Sequence, residues 1–98
     1  MAGSADGVEA DLDVLFAMVA ALRALADDPR RNADPGRVYT LAVEWGTMMA
    51  GRFPRLHYYF ERGALTDDQR RRYGDLLAQL DAVTDLVDRF GLSRPVIR

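Results

Sequence analysis

The sequence predicts an all-α fold, a small antiparallel bundle of three long helices in which the middle one is kinked or broken at Pro54. Three observations carry this expectation. Apolar side chains recur at alternating spacings of three and four along most of the 98 residues. Helix-capping residues punctuate those stretches where they begin and end. No segment shows the period-two alternation of a half-buried strand, and no internal repeat occurs.

The first helix is expected from about residue 7 to 27. Asp6 with Glu9 three positions on reads as a capping pair, and Val8, Leu12, Leu15, Val19, Leu22 and Ala26 form the apolar stripe. Pro29 disfavours the α conformation at Asp28, so the polar stretch from Asp27 to Gly36 reads as a surface connection. Asp34-Pro35 then supplies an N-cap followed by proline at the first helical position.

In the second helix Val38, Leu41, Ala42, Trp45, Met48 and Met49 line one face and Arg37, Thr40, Glu44 and Thr47 the other. Pro54 cannot donate to the carbonyl of Ala50, and Gly51 precedes it, so the rod bends or ends near Arg52. Leu56, Tyr59 and Phe60 continue an apolar stripe to Gly63, a natural left-handed cap. Thr66 and Gln69 form a capping box for the last helix, whose Tyr73, Leu76, Leu80, Val83, Val87 and Phe90 lead to Gly91. At 1.5 Å per residue the three rods are about 31, 42 and 36 Å long. Residues 1–5 and 93–98 read as flexible or extended ends of this single domain.

Composition bounds the function. Thirteen basic and fifteen acidic side chains leave a formal charge of −2, too balanced for whole-molecule attraction to nucleic acid or an anionic membrane. All the basic residues are Arg, and Asp outnumbers Glu twelve to three, the bias that GC-rich codons produce. With no cysteine there is no disulfide, thiolate nucleophile or zinc–thiolate site. The longest apolar run, Val14 to Leu22, is too short to span a bilayer and follows acidic rather than basic residues, which argues against a membrane helix or signal peptide and for the cytoplasm.

That same run surrounds the first helix with apolar groups, whereas a helix in a lone three-rod bundle should keep one wet face. A second subunit covering it, most simply in a two-fold homodimer, accounts for the surplus. Ala42, Gly46 and Ala50 add a strip of small residues along which another helix can approach closely. The candidate interface is therefore Val14, Phe16, Met18, Ala21, Ala42 and Gly46.

The candidate basic patch is Arg52, Arg55, Arg62, Arg70, Arg71 and Arg72, interleaved with His57, Tyr58 and Tyr59 in the pattern that holds phosphates and stacks on bases. Its competing reading is structural, since Asp67 with Arg71 and Asp68 with Arg72 are favourable i,i+4 pairs. His57 and Glu61 lie one helical turn apart, with Glu44 on the preceding helix, but a single histidine and an outward Glu44 make a poor metal set. Trp45, Met48, Met49, Phe53, Tyr58 and Phe60 gather around the proline as core or as an apolar pocket.

No nucleophile–base pair and no glycine-rich phosphate loop occurs, so neither enzyme chemistry nor a cofactor is expected. The sequence thus points first to a non-enzymatic helical protein–protein interaction module that forms homodimers and engages another protein. A nucleic-acid-binding regulator using segment 52–72 is the second reading, and a small-molecule binder or accessory to a biosynthetic enzyme the third.

Overall fold

The computed structural model describes residues 7–95, and those residues contain helices and no strand. The elements are α1 (Val8–Asp27), α2 (Pro29–Asn32), α3 (Pro35–Ala50), α4 (Arg52–Glu61), α5 (Asp67–Ala82) and α6 (Thr84–Arg89). They assemble as three rods: α1, the bent pair α3–α4, and the kinked pair α5–α6. Side chains near the start of α1 meet the start of α5 and the second half of the bent rod, so α1 and α5 run parallel while the bent rod, which comes between them in the chain, runs the other way.

Local chemistry explains most boundaries. Thr66 and Gln69 make the full reciprocal capping box at the head of α5. Asp34 accepts from the amide of Gly36, with Pro35 in the first turn of α3. Gly63 and Gly91 adopt the left-handed conformation, with φ of 70° and 66°, and end their helices there.

Three boundaries differ from expectation. The polar connection contains a helical turn, α2, capped by the carboxylate of Asp28 at the amides of Arg30 and Arg31. At the head of α1, Gly7 is the N-cap and no side chain caps it. Glu9 turns instead to α5, and Asp6 lies outside the described residues. The last rod is not a single helix: Thr84 bonds back to the carbonyls of Asp81 and Leu80 through its hydroxyl, and the rod kinks at Val83.

The middle rod bends at Gly51, one turn before Pro54, whose ring has no amide proton for the carbonyl of Ala50. Pro54 falls in the first turn of α4, where its missing amide proton leaves few bonds to lose. Gly51 takes φ −116° and ψ −71°, and a Cβ there would come within 3.3 Å of the Thr47 carbonyl oxygen.

Helix α1 is the centre of the fold. It packs against α3 and α4 on one side and α5 and α6 on the other, and Val8, Leu12, Leu15, Val19 and Leu22 are essentially fully buried. Its apolar girdle is thereby explained within one chain. Met18 belongs to the core, and Val14 and Phe16 pack partly buried against it. The water-facing positions of its second half are mostly alanines, Ala17, Ala20, Ala21 and Ala24, which tolerate exposure. A second subunit over Val14, Phe16 and Met18, expected from the sequence, is thus not required to account for the burial they have within one chain.

Candidate functional site

Three acidic residues open α1, and they point two ways. Asp11 shares the buried face with Val8 and Leu15, while Glu9 and Asp13 project from the opposite side. Asp11 is completely buried and is held by α4: its carboxylate accepts from Arg52 Nη1 and Arg55 Nε at 3.0 Å each, and from Arg55 Nη2. Across the helix the arrangement is inverted. One guanidinium, that of Arg72 in α5, donates to Glu9 at 2.7 Å and to Asp13 at 2.8 Å and lies over the ring of Phe16. Gln69 Nε2 adds a bond to Glu9 at 2.7 Å.

These contacts account for half of the predicted basic patch. Arg52, Arg55 and Arg72 are structural partners of α1, and the carboxylate neighbours of Arg55 and Arg72 raise both guanidinium pKa values above their ordinary range. Arg71 pairs with Asp68 rather than Asp67, and Arg62 lies over the ring of Tyr58. Arg72, expected to pair with Asp68, is committed to α1 instead. Arg70 is exposed on α5. The six arginines therefore do not form one continuous face.

A second polar chain joins α4 to α5. His57 Nδ1 lies 2.6 Å from the hydroxyl of Tyr73, and Nε2 lies 3.0 Å from Glu61. A carboxylate only accepts, so in the neutral ring Nε2 carries the proton and Tyr73 donates to Nδ1. Burial, together with the negative charge of Glu61, pushes the Tyr73 hydroxyl up to about 12. Tyr73 is fully buried against Phe53 and Phe60, so the chain fastens two helices and presents no phenol to a substrate. Glu44 is elsewhere, on the wall of an open cleft of about 700 Å³ between α1, α2 and α3. The described residues contain no cluster of histidine and carboxylate groups able to hold a metal ion, and no helix long and apolar enough to cross a membrane.

The small-residue strip of α3 also has an intramolecular neighbour. Trp45 donates to the carbonyl of Ser93, and Gly46 faces the same segment, where a Cβ would sit 3.7 Å from the Ser93 hydroxyl. Ala42 is half-buried against the core, and Ala21 is exposed at the cleft. Residues 92–95 thus fold back on the bundle, with Arg94 paired to Asp88. The aromatic and methionine cluster around Pro54 is mainly core: Trp45, Met49 and Phe53 are buried, and Met48 and Phe60 half-buried.

One surface was not anticipated. Tyr39, Val43 and Tyr58 are 63, 52 and 53% exposed, the large hydrophobic side chains left open among the described residues. All three lie on the bent rod. With Thr47, Ala50 and Pro54, also exposed, they form a stripe at spacings of four and three that carries no charge from Tyr39 to Tyr58. The signal was present in the sequence, because Tyr39 and Val43 fall outside the buried stripe of their helix.

Comparison with protein-family models, with curated proteins and with solved structures finds no match to this chain. The functional reading accordingly rests on the chain's own surfaces.

Proposed function

We propose that the protein is a non-enzymatic helical interaction module that pairs with a second copy of itself through the outer face of the bent α3–α4 rod. The observation that carries this reading is the uncharged stripe holding Tyr39, Val43 and Tyr58. A tyrosine offers a large apolar face with a polar tip, the combination enriched where protein surfaces meet.

A second copy suits the stripe because its residues are arranged symmetrically. Tyr39 and Tyr58 lie equally far from a point between Thr47 and Ala50, as do Val43 and Pro54. A two-fold axis through that point sets the rods antiparallel, brings each Tyr39 opposite the other copy's Tyr58, and places the small Thr47 and Ala50 at the closest approach. The stripe extends about 28 Å along the rod, just over five helical turns.

The test is the molar mass in solution, by size-exclusion chromatography with light scattering over a range of concentrations. The expected result is a mass near twice 11.0 kDa at high concentration, falling to 11.0 kDa in Tyr39→Asp and Val43→Asp variants that retain their helical circular dichroism. A mass of 11.0 kDa for the parent protein at every concentration would overturn the proposal.

A further inference from the structure

A buried carboxylate is an expensive way to hold a helix in place, since desolvation offsets most of the attraction it gains. Asp11 is nevertheless completely buried, and its two partners are not. The side chains of Arg52 and Arg55 keep 38 and 49% of their surface open to solvent. Both donate to the same oxygen, Oδ1 of Asp11, so the two guanidinium groups lie side by side. Their remaining donors, Nε and Nη2 of Arg52 and Nη1 of Arg55, make no hydrogen bond among the described residues.

These two side chains form one wall of a depression of about 310 Å³ completed by Thr47, Met48 and Gly51. Two cations share one carboxylate there, so among the described residues the cluster carries one surplus positive charge. The matching surplus of negative charge, from Glu9 and Asp13 around Arg72, is on the far side of α1 and open to water. Long cationic side chains normally lose rotamer freedom when they close on a ligand. Here Asp11 has already fixed both when the protein folds, the arrangement that favours a preformed binding site.

We infer that the depression between Arg52, Arg55 and Gly51 is a binding site for the phosphate group of a small phosphorylated ligand. One guanidinium fork is enough for a carboxylate, whereas the Nε–Nη2 edge of Arg52 with Nη1 of Arg55 beside it offers three donor nitrogens to a group with three terminal oxygens and nearly two negative charges. Thr47 and Met48 give the rest of such a ligand a mixed polar and apolar floor.

Nuclear magnetic resonance on the intact chain tests this, with inorganic phosphate as the probe at constant ionic strength. The Nε–Hε signals of Arg52 and Arg55 and the amide of Gly51 should move together and saturate in the millimolar range. Acetate at the same concentrations should move them far less. Thr47→Glu, made and compared in the Tyr39→Asp background so that self-association does not enter, sets a competing carboxylate at the rim without touching Asp11 and should weaken phosphate binding by at least about tenfold, or 1.4 kcal/mol. Arg52→Gln, which leaves Arg55 on Asp11, should do the same while keeping the helical circular dichroism. Phosphate shifts that do not saturate, that acetate reproduces, or that survive Thr47→Glu would overturn the site. So would binding of a single-stranded oligonucleotide at these residues with no response to inorganic phosphate.

Discussion

The indole Nε1–H of Trp45 donates to the main-chain oxygen of Ser93 across 2.7 Å, joining the middle of α3 to the segment that follows α6. Trp45 is fully buried, and no other side chain ties that segment to α3 by a hydrogen bond among the described residues. Replacing it by Phe keeps an aromatic body but removes the donor and leaves a void on one side of the ring. Trp45→Phe is expected to lose about 1–3 kcal/mol in urea unfolding, from the unsatisfied carbonyl and the lost volume together. Hydrogen exchange should also quicken at Leu92, whose amide bonds to Val87 at the base of the same segment.

Asp11 sets up an asymmetric prediction. Asp11→Asn removes the buried charge and leaves two guanidinium groups that can turn to water, so a loss of about 1–3 kcal/mol is expected. Replacing Arg52 and Arg55 together by Met strands the carboxylate in an apolar site, which is the worse defect. Urea titration should therefore rank the double arginine variant below Asp11→Asn. Adding Asp11→Leu to the double variant should recover stability, because all three members of the ion cluster are then apolar. A double arginine variant as stable as the parent would show that Asp11 is not buried as described.

The history of Asp11 shows which parts of this fold the sequence displays. Capping boxes, proline positions and glycine caps act within a few residues, so the ends of α3 and α5 and the turns at Gly63 and Gly91 are visible in the chain itself. Central placement of α1 is a tertiary fact: its apolar girdle fits a buried centre or a subunit interface equally well until the packing of the other rods is known. Asp11 sits on the heptad face between Val8 and Leu15, and that placement is the available signal that it is buried. Its partners lie more than forty residues away, beyond any local rule. The kink at Val83 escapes for a different reason, since the threonine that causes it also occurs in straight helices.

Two glycines in similar surroundings should respond in opposite ways to alanine. Gly74 lies inside α5 with ordinary helical φ, and a Cβ would meet nothing within 4 Å. Gly74→Ala removes the helix-propensity penalty of about 0.8–1 kcal/mol and should raise the melting temperature by about 4–8 °C. Gly63 is equally uncrowded but has φ of 70°. Gly63→Ala is expected to lose about 1–2 kcal/mol, from backbone strain alone. Thermal unfolding of the two variants beside the parent decides the matter, and a stabilised Gly63→Ala would refute the left-handed cap.

Tyr73 makes stability depend on alkaline pH. Its hydroxyl, buried against Phe53 and Phe60 and bonded to His57, titrates at about 12 in the folded protein, above the ordinary value of 10.0. A raised acid pKa means that the unfolded chain releases this proton first. The associated stability is complete below pH 10 and is lost as the pH rises from there toward 12, with a slope approaching about 1.4 kcal/mol per pH unit. Urea midpoints measured through that window should fall in the parent protein. In Tyr73→Phe, which has no hydroxyl to ionise, the part of the fall due to this group should disappear. The variant should start from a lower midpoint at neutral pH, because His57 Nδ1 loses its donor. A parent and a Tyr73→Phe variant with parallel alkaline profiles would mean that the phenol ionises as readily folded as unfolded, and that Tyr73 is not sealed between α4 and α5.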